Sequence, residues 1–251
     1  MKIVLAAIQA DACAKPILST ATALADLFDA NLAALHVREN DSSSPGELAA
    51  AFGAAVREVS GSPIEQIIAA AADREVAALA LGARGVHGGP QPAGHTALEV
   101  ITRVRKPVAV VPPHANAHRQ LTRILVPLEG TRDSSQALQD TIRLAHRRQL
   151  EILVLHVHTP ATVPAFANHE PHATAAWEHE FLTRHIPTPH DRVSLQRQLG
   201  LPADDTIAVA HEHSADLIVL AWSQNLEPGH AHVVSQTLAH SDIPVLLIPT
   251  T

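Results

Sequence analysis

The sequence predicts an α/β protein built as two tandem, open, doubly wound parallel sheets of five strands each. Three observations carry this reading. Short, continuous apolar runs such as "KIVLAAI" and "RILVPL" have the pattern of strands covered on both faces. These runs alternate with segments of helical period, and strand–helix alternation requires parallel strands joined by right-handed crossovers. The chain also repeats itself. "LAALHV" (Leu32–Val37) matches the end of "EILVLHV" at Val157. "GSPIEQIIAAAADREVAALALG" (Gly61–Gly82) matches "GLPADDTIAVAHEHSADLIVLA" (Gly200–Ala221), and "KPVAVVP" matches "IPVLLIP", in the same order. The join, "PPHANAHRQLTR", is polar and proline-led. It places the boundary near Ala117, giving units of residues 1–117 and 118–251.

Each unit follows the same course. After the first strand, Leu18, Ala21, Leu24, Ala25 and Phe28 mark the buried stripe of a helix. In the second unit the stripe is Ala137, Leu138, Thr141, Ile142 and Ala145, with Asp133 and Gln136 at capping-box spacing. The second strands end in His36-Val37 and His156-Val157. "SPIE" opens the next helix, with Ser62 as N-cap, Pro63 in the first turn and Glu65 three residues beyond the cap. Ile64, Ile67, Ile68 and Ala71 then recur on one face. The strands "VAALALG" and "ADLIVLA" follow, then a helix, then "PVAVV" and "PVLLI".

Composition narrows the function. The 251 residues suit two units of about 120 residues, each large enough for its own core. Aromatics are 2% against 46% apolar residues, so the core must be aliphatic. The formal charge is −7 and there is no basic run, which argues against nucleic acid as a partner. The single cysteine, Cys13, excludes an internal disulfide and fits a reducing cytoplasm. The N-terminal apolar run is shorter than a membrane span. Asp11 and the helical pattern behind it favour a strand over a signal segment.

"GARGVHGGPQPAGH" (Gly82–His95) holds five glycines directly after an apolar strand. Glycines there allow a tight turn or a close approach to the main chain. Consecutive backbone N–H groups in such a turn form an anion-binding concavity, and a helix starting near Gly94 adds its positive end. Arg84 and His87 lie within the loop and add charge. The competing reading is a surface loop without a ligand, since a lone glycine-rich match is weak.

These residues resemble the universal stress proteins, in the tandem arrangement with two copies in one chain. Nucleotide-binding members carry Gly-x2-Gly-x9-Gly-Ser/Thr after the fourth strand. Here Gly82 and Gly85 keep the first spacing, Gly88 falls inside the loop, and Gly94 serves as the third glycine after x8. His95 takes the Ser/Thr position with Thr96 next. The resemblance implies strand order 3-2-1-4-5 in each unit and a pseudo-two-fold relation, with the last strands paired antiparallel. That pairing is satisfied within the chain, with a homodimer as a further option. It implies ATP, with Mg, in the N-terminal unit of a cytoplasmic stress-response protein with at most slow ATP hydrolysis. Ala7, Gln9 and Val37 stand at the base end of that site, Gln9 replacing the family's Pro-x-Asp carboxylate. In the C-terminal unit Pro127-Leu128-Glu129 keeps the carboxylate, but Ala221, Gln224 and Ala231 replace the glycines. A left-handed Gln224 costs about 1–2 kcal/mol, so that loop is expected to take another path without a phosphate cradle.

Histidine, with 18 residues, is the compositional oddity. His156/His158, His211/His213 and His230/His232 are His-x-His pairs, and His114/His118 have helical chelate spacing. His169, His172, His179, His185 and His190 crowd one inter-strand segment. No cysteine and no complete zinc-type spacing accompany them, so zinc and other metals are not expected. The P-loop, the dinucleotide fingerprint and the nucleophile elbow are absent, so no catalytic residue is assigned. The alternative function is an interaction or scaffold protein that binds no nucleotide, metal-responsive through its histidines.

Overall fold

The structure is a computed structural model. It describes residues 1–38, 44–84, 93–116, 118–158, 171–189, 191–227 and 230–250. In chain order the elements are β1 (Ile3–Ala7), α1 (Ala14–Phe28), β2 (Asn31–Arg38), α2 (Gly46–Ala50), β3 (Ala55–Ser60), α3 (Pro63–Ala71), β4 (Val76–Gly82), α4 (His95–Arg103) and β5 (Val108–Val111). They continue as β6 (Arg123–Pro127), α5 (Arg132–Arg147), β7 (Glu151–His158), α6 (Pro171–His185), β8 (Val193–Leu199), α7 (Pro202–Glu212), β9 (Leu217–Trp222), α8 (His232–His240) and β10 (Val245–Pro249).

The strands form one sheet in the order β3-β2-β1-β4-β5-β10-β9-β6-β7-β8. Each half keeps the expected order 3-2-1-4-5, but the two five-stranded sheets expected are corrected to the halves of one ten-stranded sheet. All pairings are parallel except one: β10 runs antiparallel to β5, with Val245 opposite Val110, Leu246 opposite Ala109 and Leu247 opposite Val108. The physical reason is edge coverage. Two open sheets would each expose the backbone groups of an apolar last strand, and pairing the two strands removes both edges. The remaining edges, β3 and β8, carry Arg57, Glu58, Gln196, Arg197 and Gln198, which suit strands facing water.

Alternate strand residues face opposite helix layers. Val4, Ala6 and Ile8 pack with α1, and Ile124, Val126 and Leu128 with α5, in one core cluster. Leu5, Ala7, Leu35 and Val37 face the other layer, in a cluster with Ile67 of α3, Val100 of α4, Val209 of α7 and Leu238 of α8. The expected stripes are buried at Leu18, Ala21, Leu24, Leu138, Ile142 and Ala145. At the start of α5 the expected capping box is replaced. Thr131 is the N-cap and its Oγ1 accepts from the Ser134 amide at 3.4 Å, while Asp133 sits in the first turn. Ser62 precedes α3 as expected, but its side chain makes no capping hydrogen bond.

Gln224 also departs from expectation. It is left-handed, with φ 58°. Its side chain offsets that strain: Nε2 donates to the carbonyls of Ile101 and Val104, both at 2.8 Å, closing the C-terminal end of α4. Orphan carbonyls at a helix end need such donors. Gln224→Ala is therefore expected to lower stability by about 1–3 kcal/mol, the cost of leaving those partly buried carbonyls unpaired. Gln224→Gly, which also relieves the left-handed strain, should lose less. Urea denaturation of the three proteins measures the order.

Candidate ligand-binding site

At the carboxyl ends of β1 and β4, where strand order reverses, an α/β sheet opens a crevice. Here it is a cavity of about 260 Å³. Its floor is Leu35 and Val37 of β2 and Leu81 and Gly82 of β4, and its walls are the β1–α1 turn and the start of α4. Eight residues singled out in the sequence line it together: Ala7, Gln9, Val37, Gly82, Arg84, Gly94, His95 and Thr96. Gly85, His87 and Gly88 lie outside the described residues. The glycine at position 82 has a packing reason, since a Cβ there would lie 3.3 Å from Ile17 Cδ1 and 3.5 Å from the Arg84 carbonyl.

The anion end is built from α4. Gly94 is its N-cap, and its amide donates to the Ala83 carbonyl at 2.7 Å, which closes the loop. That amide is thus not aimed at a ligand, as the sequence reading had it. The donors that remain are the first-turn amides of His95, Thr96 and Ala97, which have no acceptor within the helix. Their combined dipole favours a negative group at this mouth.

The base end contains residues that the sequence reading passed over. Asp11 lines the cavity, and its Oδ1 accepts from the Cys13 amide at 2.9 Å, which fixes the carboxylate at the mouth. It stands two residues beyond Gln9, the position read as lacking a carboxylate. An acid between a strand end and the next helix was the available signal. Cys13, Pro63 and Ile67 complete the lining. Burial, and then Asp11, push the Cys13 thiol up, so it is protonated at neutral pH and is no nucleophile.

The equivalent crevice in the C-terminal half is larger, about 480 Å³, and differently charged. Glu129, Asp133 and His232 face a lining of Leu155, Leu220 and Trp222. Ala231 precedes α8 with φ 47°, and Gln224 is turned away to α4. No lysine or arginine lines this crevice among the described residues.

The histidines at the ends of β2 and β7 share one role. His36 Nδ1 donates to the Ile8 carbonyl at 3.1 Å, and His156 Nδ1 to Leu128 at 2.7 Å, tying each strand to the turn after its neighbour. His156 and His158 pack edge to face at 4.5 Å between centroids, beside Trp177 and Phe181. His211 reaches Asp242 at 2.9 Å, and His146 reaches Asp191 at 3.1 Å. Among the described residues, no group of three or more His, Cys, Asp or Glu side chains is arranged to hold a metal.

The Universal stress protein family model matches residues 120–249, just over half of the chain. The chain belongs to the universal stress protein family. No curated protein sequence matches it. A universal stress protein from Archaeoglobus fulgidus is similar over 99% of this chain and 98% of its own, with TM-score 0.70 and 14% identity. A functionally unknown protein from Pseudomonas aeruginosa matches 100% of this chain and 93% of its own, with TM-score 0.69 and 12% identity. A universal stress protein from Archaeoglobus fulgidus in complex with dAMP matches 51% of this chain and 97% of its own, with TM-score 0.36 and 18% identity. At these identities the likeness of this universal stress protein to solved structures is one of fold. Among the described residues, no helix is long and apolar enough to cross a membrane.

Proposed function

We propose that the chain is a tandem universal stress protein, with units 1–117 and 118–251 related by a pseudo-two-fold. In this reading it is a regulatory protein that binds an adenine nucleotide, ATP with Mg, in the N-terminal unit. The observation that carries the reading is convergence. Residues from the base end (Ala7, Gln9, Asp11, Val37) and from the phosphate end (Gly82, Arg84, His95, Thr96) line one cavity. At about 260 Å³ it takes the nucleoside, while the phosphates lie across the first-turn amides of α4. Gln9 and Asp11 supply hydrogen-bond acceptors for the amino and hydroxyl groups of the nucleoside. In this reading the function is binding, with at most slow ATP hydrolysis.

A nucleotide-free interaction protein is the second reading. It is favoured by the Gly94 amide being taken up by Ala83 and by a cavity just under the usual size of small-molecule sites, about 300 Å³ and above. Thermal unfolding with and without Mg-ATP separates the two. A ligand at a hundredfold its dissociation constant adds about 2.7 kcal/mol. A rise in melting temperature with ATP supports the nucleotide reading, and none at millimolar ATP favours the second.

A further inference from the structure

The C-terminal half contains a feature with no counterpart among the described residues of the N-terminal half. Between α5 and α6 lies an open cavity of about 460 Å³. One face of α5 supplies Arg132, Ser135, Gln136 and Gln139, and the end of α6 supplies Arg184 and His185. In the register that relates β1 to β6, the N-terminal positions matching Gly130, Arg132 and Ser135 are Ala10, Ala12 and Lys15. The short α2 of that half has no histidine.

The protons in this site can be counted. Ser135 Oγ has one hydrogen, and it donates to the Thr131 carbonyl at 2.8 Å, because a carbonyl only accepts. Ser135 Oγ also lies 2.6 Å from His185 Nδ1, so there the ring must be the donor, Nδ1–H to Oγ. A neutral ring with its proton on Nδ1 carries a lone pair on Nε2. His185 is 7% exposed and lines the cavity, and among the described residues its ring is hydrogen-bonded through Nδ1. Nε2 lies beside Gly130, whose absent Cβ would be 4.0 Å from it. Gly130 has φ 83° and itself lines the cavity. Burial first, then Arg184 and His156, hold the His185 pKa below its ordinary value and keep the ring neutral near pH 7.

The groups facing His185 are Arg132 and Ser135 from α5, Arg184 and Phe181 from α6, and His156 from β7. Glu180 is paired with Arg184 at 2.5 Å. Asp133 lines the neighbouring crevice instead. The site therefore combines the Arg132 guanidinium, the Arg184 guanidinium shared with Glu180 and the positive end of a sixteen-residue helix with one lone pair on a histidine that lines the cavity. A fully ionised oxyanion satisfies the cations but meets the lone pair without a proton. An oxyanion that still carries a hydroxyl satisfies both.

We propose that this cavity binds a phosphate group in its singly protonated form, with Arg132 and Arg184 taking the charge and the P–O–H group donating to His185 Nε2. Inorganic phosphate and the monoanion of a phosphomonoester share this chemistry, while sulfate near neutral pH does not.

The test is calorimetric titration of the full chain with inorganic phosphate, and with sulfate for comparison, at about pH 7.5. Phosphate should bind saturably and at least about tenfold more tightly than sulfate, the value of one charge-assisted hydrogen bond. Arg132→Ala, a change at an exposed position, should weaken phosphate about fivefold or more. His185→Gln should erase the preference for phosphate over sulfate. The same titrations are repeated in the Thr96→Asp background, which suppresses phosphate binding at the N-terminal cavity; binding that depends on Arg132 and His185 should persist there, which separates this site from the proposed nucleotide site. A second phosphomonoester arm, glycerol 3-phosphate, should bind more tightly than inorganic phosphate if the natural ligand is an ester, and less tightly if it is free phosphate. Equal affinity for phosphate and sulfate, phosphate binding indifferent to Arg132→Ala, or no saturable binding at millimolar phosphate would each overturn the proposal.

Discussion

Leu246→Ala is expected to destabilise the protein by about 2–5 kcal/mol, the cost of a large-to-small change in a packed interior. Leu246 is fully buried in β10, opposite Ala109 of β5 and Val219 of β9. A methyl-sized side chain across the sheet cannot fill the space it leaves. Total stabilities of about 5–15 kcal/mol make this a large fraction. The position also tests the continuity of the sheet. If one ten-stranded sheet unfolds as a unit, loss at the β5–β10 seam lowers the whole transition. The two tryptophans, Trp177 and Trp222, both lie in the C-terminal half, so fluorescence reports that half and circular dichroism reports the whole chain. Coincident urea transitions for both probes, shifted together in the variant, are the expected result. Separate transitions, with only one moved, would mean that the halves fold independently despite the shared strand pairing.

Thr96→Asp is expected to cost nucleotide affinity about tenfold to a hundredfold without loss of fold. Thr96 is in the first turn of α4 and lines the N-terminal cavity. A carboxylate there is favourable to the helix by about 0.3–1 kcal/mol, because it answers the positive end of the dipole. The same carboxylate occupies the field that the phosphates would use and repels them. Each charge-assisted hydrogen bond forgone is worth about 1.5–3 kcal/mol. The prediction thus has opposite signs for stability and binding, which a merely structural role for Thr96 would not produce. Melting temperature of the free protein and calorimetric titration with Mg-ATP measure the two quantities on one sample.

Much of this arrangement was legible in the residues because backbone-level signals are local. The apolar runs that became β1, β4, β6 and β9, and the stripe Leu18, Ala21, Leu24, are patterns of period and need no tertiary information. The base and phosphate ends of the N-terminal cavity were legible through Gln9 and Gly82–Thr96, since each sits at a strand end or helix start. What was not legible depends on distant partners. Gln224 looked too strained to be left-handed, because nothing in its own segment shows that its amide will meet Ile101 and Val104 of α4. Likewise, the Gly94 amide looked available until Ala83 turned back onto it. Helix α6 was hidden by its composition: its inner face is Trp177, Phe181 and His185, aromatic rings where the other helices use aliphatic side chains. The joining of the two halves was not a local signal either: the antiparallel pairing of β5 with β10 was expected only through the family resemblance, because only the last strand of each half takes part in it.

Crystals soaked with Mg-ATP test the central claim most directly. The account predicts density for the nucleotide in the N-terminal cavity, with the nucleoside between Gln9, Asp11 and Val37 and the phosphates at the start of α4 near His95 and Thr96, and an acidic C-terminal crevice left without phosphate. ATP bound instead beside Glu129 and Trp222, or bound nowhere at saturating concentration, would contradict it.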